Sequence, residues 1–178
     1  FPDGLGNSSG ELGHNLMDHH YGMGASGTLP GFEDTYYKGR KPMGGFYIPR
    51  FRNIDKASKR SDYVRGFGYQ GTASRQDWSA SIAEMGYGKE LKEEILKPGH
   101  WQIGVTGFGE FLPHDDNRVT LSTTEKDKWG LPQLDFDVEF KENELNMRKD
   151  MMESAVAMLT KAGMRDVEPF DRETALGL

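Results

Sequence analysis

The sequence predicts an α+β domain in which one long helix packs on a mostly antiparallel sheet of about six strands. Three observations predict this class. Several segments alternate apolar and polar residues with the period of two that half-buried strands show. One segment, 143–162, carries an apolar stripe at helical spacing. Glycine makes up 23 of the 178 residues, which favours tight turns, irregular strands and close backbone approaches.

The first half of the chain is expected to form strands separated by polar loops. Residues 1–20 are rich in turn-forming residues and are interpreted as a linker that enters the domain. Three strands are expected, at 21–29, 45–51 and 63–74. Pro49 should limit the second of them to a sheet edge. A short helix is expected at 89–96, because Pro98-Gly99 follows as a helix break.

The next segments are expected to form three more strands. The strand at 101–112 should turn at 114–117 and return at 118–122, so that the two strands form a hairpin-like pair. A polar loop is expected at 123–130. The strand at 133–140 alternates apolar and acidic residues, so one face should lie on the core and the other in water.

The helix at 143–162 has the clearest end signals in the chain. Asn143 is expected as its N-cap and Gly163 as the residue that ends it. Its apolar stripe, interpreted as core, consists of Met147, Met151, Ala155, Met158 and Ala162. Residues 21–163 are therefore taken as one domain, and the short polar segment 164–178 as an exit from it.

Composition excludes several classes of protein. The formal charge of −6, without a basic stripe, argues against general binding to nucleic acid or anionic membranes. No apolar run is long enough for a membrane span. Because the chain has no cysteine, disulfides, thiolate zinc sites and cysteine nucleophiles are excluded. A soluble protein is expected, and the sequence leaves its compartment, cytoplasm or periplasm, open. The start at Phe1 suggests a piece of a longer polypeptide.

Two patterns that could indicate cofactor or metal binding have simpler interpretations. Residues 66–71 spell G-x-G-x-x-G, but they lie in an aromatic strand pattern and do not open a helix, which favours a glycine-rich strand. His14, Asp18, His19 and His20 could share a metal ion, but no further ligand stands at a familiar spacing. A structural loop is favoured for them, and no metal site is expected.

Several side chains in the predicted strands could bind a small polar molecule. Glu110 is a charge in an otherwise apolar and aromatic strand, so it either faces solvent at an edge or binds a hydroxyl or a cation in a pocket. Aromatic and hydrogen-bonding groups suited to a sugar or an alcohol, but equally ordinary in strands, are Tyr47, Arg50, Tyr69, Gln70 and Trp78.

Two segments resemble a known enzyme family. Leu12-Gly13-His14-Asn15-Leu16-Met17-Asp18-His19 resembles the V-G-x-N-L-x-D-H segment of the glucose–methanol–choline (GMC) flavoprotein oxidoreductases. Asn117-Arg118-Val119-Thr120-Leu121, followed by Asp127 and Gly130-Leu131-Pro132, resembles the hairpin that precedes a strand and a long helix in that family. The order of elements is the same here, so the resemblance extends from Gly10 to Gly163.

The resemblance implies that 21–163 is a substrate-binding domain whose sheet covers a pocket over FAD. In such enzymes FAD takes a hydride from a sugar or alcohol carbon while a histidine removes the hydroxyl proton. The segment around Gly13, Asn15, Asp18 and His19 would then lie near the cofactor. The expected substrate-binding residues are Tyr47, Arg50, Tyr69, Gln70 and Glu110.

The resemblance also implies what the chain lacks. The FAD fingerprint and the catalytic histidine of the family would lie outside residues 1–178, so no catalytic residue is expected here and the isolated chain should be inactive. Its partners would be a sugar or alcohol substrate and the rest of the flavoenzyme chain. The alternative is a stand-alone carbohydrate- or protein-binding module that stacks its ligand on Tyr47, Tyr69, Trp78 and Trp101.

Overall fold

A computed structural model describes residues 4–34, 45–75, 87–95 and 99–172. The strands in these ranges are β1 His19–Leu29, β2 Phe46–Ile48, β3 Gly68–Arg75, β4 Trp101–Glu110, β5 Arg118–Lys126, β6 Pro132–Asp137 and β7 Arg165–Asp171. The helices are α1 Lys89–Ile95 and α2 Glu142–Lys161. Neither helix, among the residues described, is long and apolar enough to cross a membrane.

Five of the strands form one sheet in the order β2-β3-β4-β1-β7, and β5 and β6 form a separate two-stranded sheet. Every strand pair in the described ranges is antiparallel. The α+β class with a mostly antiparallel sheet and one long helix is therefore confirmed. The glycine-rich segment 66–71 enters β3 of this sheet, so its interpretation as part of a strand is also confirmed.

Helix α2 covers one face of the five-stranded sheet and forms the core with it. Met147 and Met151 are fully buried there and lie over two glycines of β4. A Cβ added to Gly107 would lie 2.7 Å from the Met151 sulfur, and one added to Gly109 would lie 2.6 Å from the Met147 sulfur. These glycines therefore let the helix approach the sheet more closely than any larger residue would.

The ends and the apolar stripe of α2 differ in part from the prediction. Gly163 ends the helix with φ of +85°, as expected. Asn143, however, is not the N-cap, because Lys141 occupies that position and the Asn143 side chain accepts a hydrogen bond from the Val64 N–H instead (2.8 Å). Of the predicted stripe, Met158 is half-buried and Ala162 is exposed, whereas Leu159, which was not predicted as part of the stripe, is buried.

The predicted hairpin of residues 101–112 with 118–122 is wrong. Both edges of β4 are occupied, by β1 and by β3, so β5 pairs with β6 instead. Strand β5 also continues to Lys126, through part of the predicted polar loop. All six residues of β6 are exposed, so the prediction of a strand with one buried face is wrong as well.

Two further strand boundaries differ from the prediction. Residues 63–67 form irregular backbone before β3. The Asn53 side chain donates to the Tyr63 and Arg65 carbonyls, and the Tyr63 hydroxyl donates to Asp150 of α2, so these groups do not pair with a neighbouring strand. Residues 165–171, interpreted as part of an exit segment, form β7 at the edge of the sheet beside β1. The helix expected at 89–96 is observed at Lys89–Ile95, and Leu96, like Trp78, lies outside the described residues.

Candidate functional site

The face of the five-stranded sheet that α2 does not cover, here called the open face, contains a cavity of about 750 Å³. It opens over the three central strands and β7. The cavity is lined by Tyr21, Gly22, Ser26, Gln70, Thr72, Gly104, Thr106, Phe108, Phe170 and Arg172. No carboxylate stands among these residues, so the cavity offers neutral hydrogen-bonding groups, aromatic rings and one guanidinium.

Strand register places the polar groups of the open face side by side. Gln70 pairs with Thr106, and Thr72 pairs with Gly104, whose other neighbour is Ser26. Cross-strand partners point to the same face of a sheet. Three hydroxyls and one amide therefore form a patch in which every group can both donate and accept hydrogen bonds.

Aromatic rings flank this polar patch. The rings of Tyr21 and Phe108 stack with their centroids 5.5 Å apart and their planes 6° from parallel. On the opposite side, Phe170 lies over Gly24, where an added Cβ would be 3.0 Å from its ring. The Arg172 guanidinium lies 5.7 Å from the centre of the Phe170 ring. Flat apolar surfaces next to hydroxyls suit the C–H and O–H groups of a polyol.

One end of the open face carries ionisable side chains. Two predicted site residues, Glu110 and His19, meet there. Glu110 and His19 are cross-strand partners at the ends of β4 and β1. The Arg65 guanidinium lies 3.4 Å from the Glu110 carboxylate. The Asp18 carboxylate accepts hydrogen bonds from the His19 N–H (2.6 Å) and faces the His19 ring (3.1 Å). These hydrogen bonds, the backbone one above all, lower the pKa of Asp18.

The remaining predicted substrate residues divide between three places. Tyr47 pairs with Gln70 on the open face, and its hydroxyl lies over Gly68, 2.6 Å from where a Cβ would be. Tyr69 points to the opposite face, where it is fully buried and its hydroxyl donates to the Met151 carbonyl (2.6 Å). Arg50 donates to the carbonyls of loop residues 52 and 53 and lines a different cavity of about 540 Å³.

The two segments that carry the family resemblance are hydrogen-bonded to each other. The Val119 N–H donates to the Gly13 carbonyl, and the Leu16 N–H donates to the Asn117 carbonyl, both at 2.8 Å. Gly13 has φ of +90°, and a Cβ there would lie 2.3 Å from the Val119 carbonyl oxygen. Only glycine therefore allows this contact. The segment continues through Asn15, whose φ is +60°, to the ionisable end of the open face.

A buried polar cluster supports this end of the sheet from the helix side. The His20 Nε2 lies 3.0 Å from the Glu144 carbonyl oxygen, and burial together with the nearby Arg148 charge lowers the pKa of His20 to about 4. Arg148 is paired with Asp171 of β7. His20 is therefore neutral at pH 7 and supports the packing of β1 against α2. Within the described ranges no group of three or more His, Asp or Glu side chains could hold a metal ion.

Sequence patterns did not reveal Ser26, Thr72, Thr106, Phe170 and Arg172 as site residues. The first three are small polar residues in strands, and β7 was not predicted as a strand. The alternation of side chains along a strand could have predicted some of them. Thr72 shares a face of its strand with Gln70, and Thr106 and Phe108 share a face of theirs with Glu110.

Comparison with known proteins identifies dehydrogenases as relatives. The chain is 32% identical over 141 residues, 77% of its length, to the fructose dehydrogenase large subunit of Gluconobacter japonicus. It is 30% identical over 153 residues, 81% of its length, to the 2-methyl-1,2-propanediol dehydrogenase of Mycolicibacterium austroafricanum. The chain spans about a quarter of the length of these relatives, 25% and 26%. No family model matches it. The chain is thus related to part of two oxidoreductases.

Proposed function

We propose that this chain is the substrate-binding part of an FAD-dependent oxidoreductase of the GMC type, which oxidises a sugar or another alcohol by hydride transfer to flavin. The observation that carries the proposal is the open face: a patch of neutral hydrogen-bonding groups between aromatic rings, on a sheet whose other face is covered by α2. The relation to two dehydrogenases and the resemblance of residues 12–19 to the GMC segment support it.

The chemistry of the open face favours a neutral polyol as substrate. Ser26, Thr72, Thr106 and Gln70 can each donate and accept, which matches the alternating roles of substrate hydroxyls. A site built to hydrogen-bond hydroxyls discriminates strongly against molecules that lack them. The names of both relatives refer to molecules with more than one hydroxyl, fructose and a propanediol, which supports the same substrate class here.

The described residues do not fit the dinucleotide part of FAD. Their main sheet is antiparallel, and the G-x-G-x-x-G segment enters a strand instead of a helix that could hold a pyrophosphate at its N-terminus. We therefore propose that the cofactor is held by polypeptide corresponding to the rest of the relatives' length. When bound, FAD would supply the hydride acceptor.

The role proposed for this chain is to bind and orient the substrate and to exclude water. Gln70 and Thr106 would hold substrate hydroxyls, and the rings of Tyr21 and Phe108 would cover a carbon face. Gly13, Asn15, Asp18 and His19 are proposed to lie beside the cofactor, because their segment leads into the ionisable end of the open face. Glu110, paired with Arg65, would accept a hydrogen bond from a substrate hydroxyl at that end.

The stacking platform of the alternative binding module is not formed as predicted. Tyr69 is fully buried beneath α2 and cannot contact a ligand, and Trp78 lies outside the described residues. Among the members of that set in the described ranges, Tyr47 is the one exposed on the open face. The polar patch, and not a row of aromatic rings, is therefore the feature on which a ligand would bind.

The proposal is tested on the complete enzyme purified with FAD. Anaerobic addition of fructose, glucose or 2-methyl-1,2-propanediol should bleach the visible flavin bands. Absence of flavin bands, or bands that none of a panel of sugars and alcohols bleaches, would contradict the proposal.

Variants of the open face test the role of this chain separately from the cofactor. Thr106→Val should raise KM for the best substrate about three- to tenfold and leave kcat nearly unchanged, because it removes one hydrogen bond to a neutral hydroxyl. Thr120→Val, at an exposed position of β5 away from the open face, is the matched control and should leave KM unchanged. Equal effects of the two variants would assign the substrate to another surface.

A further inference from the structure

The loop between β2 and β3 is strongly basic within an acidic chain. Residues 52–65, here called the cationic loop, contain five basic and two acidic residues, whereas the whole chain has a formal charge of −6. Only Arg65, at the end of the loop, reaches the open face, where it pairs with Glu110; the rest of the loop has no role in the function proposed above. Its basic residues are Arg52, Lys56, Lys59, Arg60 and Arg65.

Hydrogen bonds hold the cationic loop in one conformation. Asn53, at φ of +54°, donates to the Tyr63 and Arg65 carbonyls (3.3 and 2.6 Å) and accepts from the Arg60 N–H (2.6 Å). A surface loop whose two ends are clamped in this way loses little further conformational entropy on binding a partner.

A buried carboxylate on α2 anchors the cationic loop to the core. Asp150 accepts two hydrogen bonds from the Arg52 guanidinium (2.8 and 2.9 Å) and one from the Tyr63 hydroxyl (2.5 Å). Arg52 is neutralised by this contact, and Arg60 is neutralised by a two-point contact with Asp62. These two basic residues therefore serve the structure of the loop.

Two cations of the loop remain without a carboxylate partner among the described residues. Lys56 and Lys59 are exposed and line a cavity of about 330 Å³ whose apolar residues are Ile54 and Val64. The Asp55 carboxylate also lines this cavity, where it accepts hydrogen bonds from the N–H and the hydroxyl of Ser58. Ile54 is 59% exposed and Val64 58% exposed. The cavity thus combines an exposed apolar wall with two ammonium groups that are free to pair.

We propose that this cavity docks an acidic segment of a partner protein, whose carboxylates pair with Lys56 and Lys59 and whose apolar side chain packs on Ile54 and Val64. Charge complementarity carries the choice of partner, since the basic loop stands out on an acidic chain. A free phosphate fits less well. The backbone N–H groups of Ile54 and Asp55 already donate to the Ser58 hydroxyl (3.2 and 3.1 Å), so they do not form an anion nest.

The test measures fluorescence anisotropy of a fluorescein-labelled peptide of alternating Glu and Leu with the protein. Binding is expected at low ionic strength and should weaken as salt is added. The double variant Lys56→Glu/Lys59→Glu should weaken binding about tenfold or more. Replacing Leu by Ser in the peptide should also weaken binding, because the apolar wall would lose its partner.

Lys128→Glu/Lys149→Glu is the matched control, because it makes the same change of charge at exposed positions of the turn between β5 and β6 and of α2. It should weaken binding no more than about twofold. An equal loss of peptide binding in both double variants would mean that only the net charge of the protein matters, and it would overturn the proposal. Displacement of the peptide by inorganic phosphate beyond its effect on ionic strength, or no binding at low salt, would also overturn it. Since Lys56 and Lys59 make no hydrogen bond or ion pair with any residue of the described ranges, thermal unfolding of the test variant should match the wild type.

Discussion

Asp150 is the buried carboxylate through which α2 holds Arg52 and Tyr63 of the cationic loop. Its side chain is 5% exposed. Burial alone would raise its pKa, but the hydrogen bonds from Arg52, Tyr63 and Ser154 outweigh burial and hold the pKa below its ordinary value. The carboxylate is therefore more stable in the folded protein than in the unfolded chain, and it stabilises the fold.

Asp150→Asn should lower the free energy of unfolding by about 3 kcal/mol, because Arg52 would lose its charged partner in a mostly buried site. Urea unfolding at pH 7 measures this change. Glu153→Gln, at an exposed position of the same helix, should change it by less than about 0.5 kcal/mol. The contribution of Asp150 should be complete above the ordinary carboxyl pKa of 3.8 and be lost as pH falls through the lower native value. A difference that persists at pH 2 would argue for a packing effect instead.

His20 should make stability depend on pH in a higher range. Its pKa is about 4 in the folded protein against an ordinary 6.5, so between these values only the unfolded chain binds a proton at this ring. The free energy of unfolding should therefore fall as pH is lowered from about 6.5 to about 4, and be independent of this ring above that range. In His20→Gln this slope should flatten, while His100→Gln, at an exposed position, should keep it. Thermal unfolding of the two variants across this pH range measures the slope in each.

Single residues also show what sequence patterns can and cannot predict about the site. Gln70, Tyr47 and Glu110 were expected to bind substrate, and the structure places them on the open face. Tyr69 was grouped with them because aromatic residues suit sugars, yet adjacent residues of a strand point to opposite faces. The pattern of one strand does not reveal which face is covered. That is decided by Gly107 and Gly109 of β4, which admit α2 on the side of Tyr69.

At the scale of elements, the contact between β4 and α2 makes a matched pair of glycine substitutions informative. Gly109→Ala should destabilise the protein by about 1–3 kcal/mol, since its Cβ would lie 2.6 Å from the Met147 sulfur and force the side chain to move. Gly104→Ala changes the same strand on its other face, where the nearest atom would be 3.7 Å away. It should change stability by less than about 0.5 kcal/mol. Chemical denaturation of both variants checks this, and equal losses would mean that α2 does not contact β4 as described.

The contact between residues 12–19 and β5 permits a similar comparison. Gly10→Ala should cost about 1 kcal/mol, because φ there is +79° but no atom lies within 4 Å of the new Cβ. Gly13→Ala should cost clearly more, about 3 kcal/mol, since its Cβ would also collide with the Val119 carbonyl at 2.3 Å. The difference between the variants in urea unfolding isolates the docking contact. A Gly13 variant no less stable than the Gly10 variant would show that this contact is not made.

Elements with strong local signals were predicted, and those defined by distant contacts were not. Helix α2 has an apolar stripe and a terminal glycine, and β1 and β4 are long enough to show alternation. Strand β7 is an exposed edge strand, so it has no apolar pattern to detect. The pairing of β5 with β6 depends on which edges of β4 are already occupied, a property of the assembled sheet. Asn143 is a residue type that favours the N-cap position, but its side chain accepts a hydrogen bond from the Val64 N–H in the loop before β3.

At the scale of the whole molecule, the two sheets differ in how firmly they are held. The five-stranded sheet is buried on one face by α2, whereas β6 is exposed on both faces. The small sheet is joined to the rest through backbone hydrogen bonds with residues 13–16. Its own two ends are tied together by the Asn117 side chain, which accepts from the Glu139 N–H (2.9 Å) and donates to the Glu139 carbonyl (3.1 Å). A two-stranded sheet without such support is marginally stable in water.

Hydrogen exchange should therefore divide the chain into two units. Amides of β1 and β4, which have neighbours on both sides, should exchange by global unfolding, whereas those of β5 and β6 should exchange faster through local opening. Asn117→Ala should accelerate exchange in β5 and β6 further and leave β4 nearly unchanged, because the 1%-exposed Asn117 side chain ties the start of β5 to the end of β6 through Glu139. Mass spectrometry of peptic fragments measures both. Equal protection of β4 and β6 would mean that the small sheet is covered by a surface beyond the contacts described. The open face could then be covered by such a surface too, and it would no longer be available to a substrate.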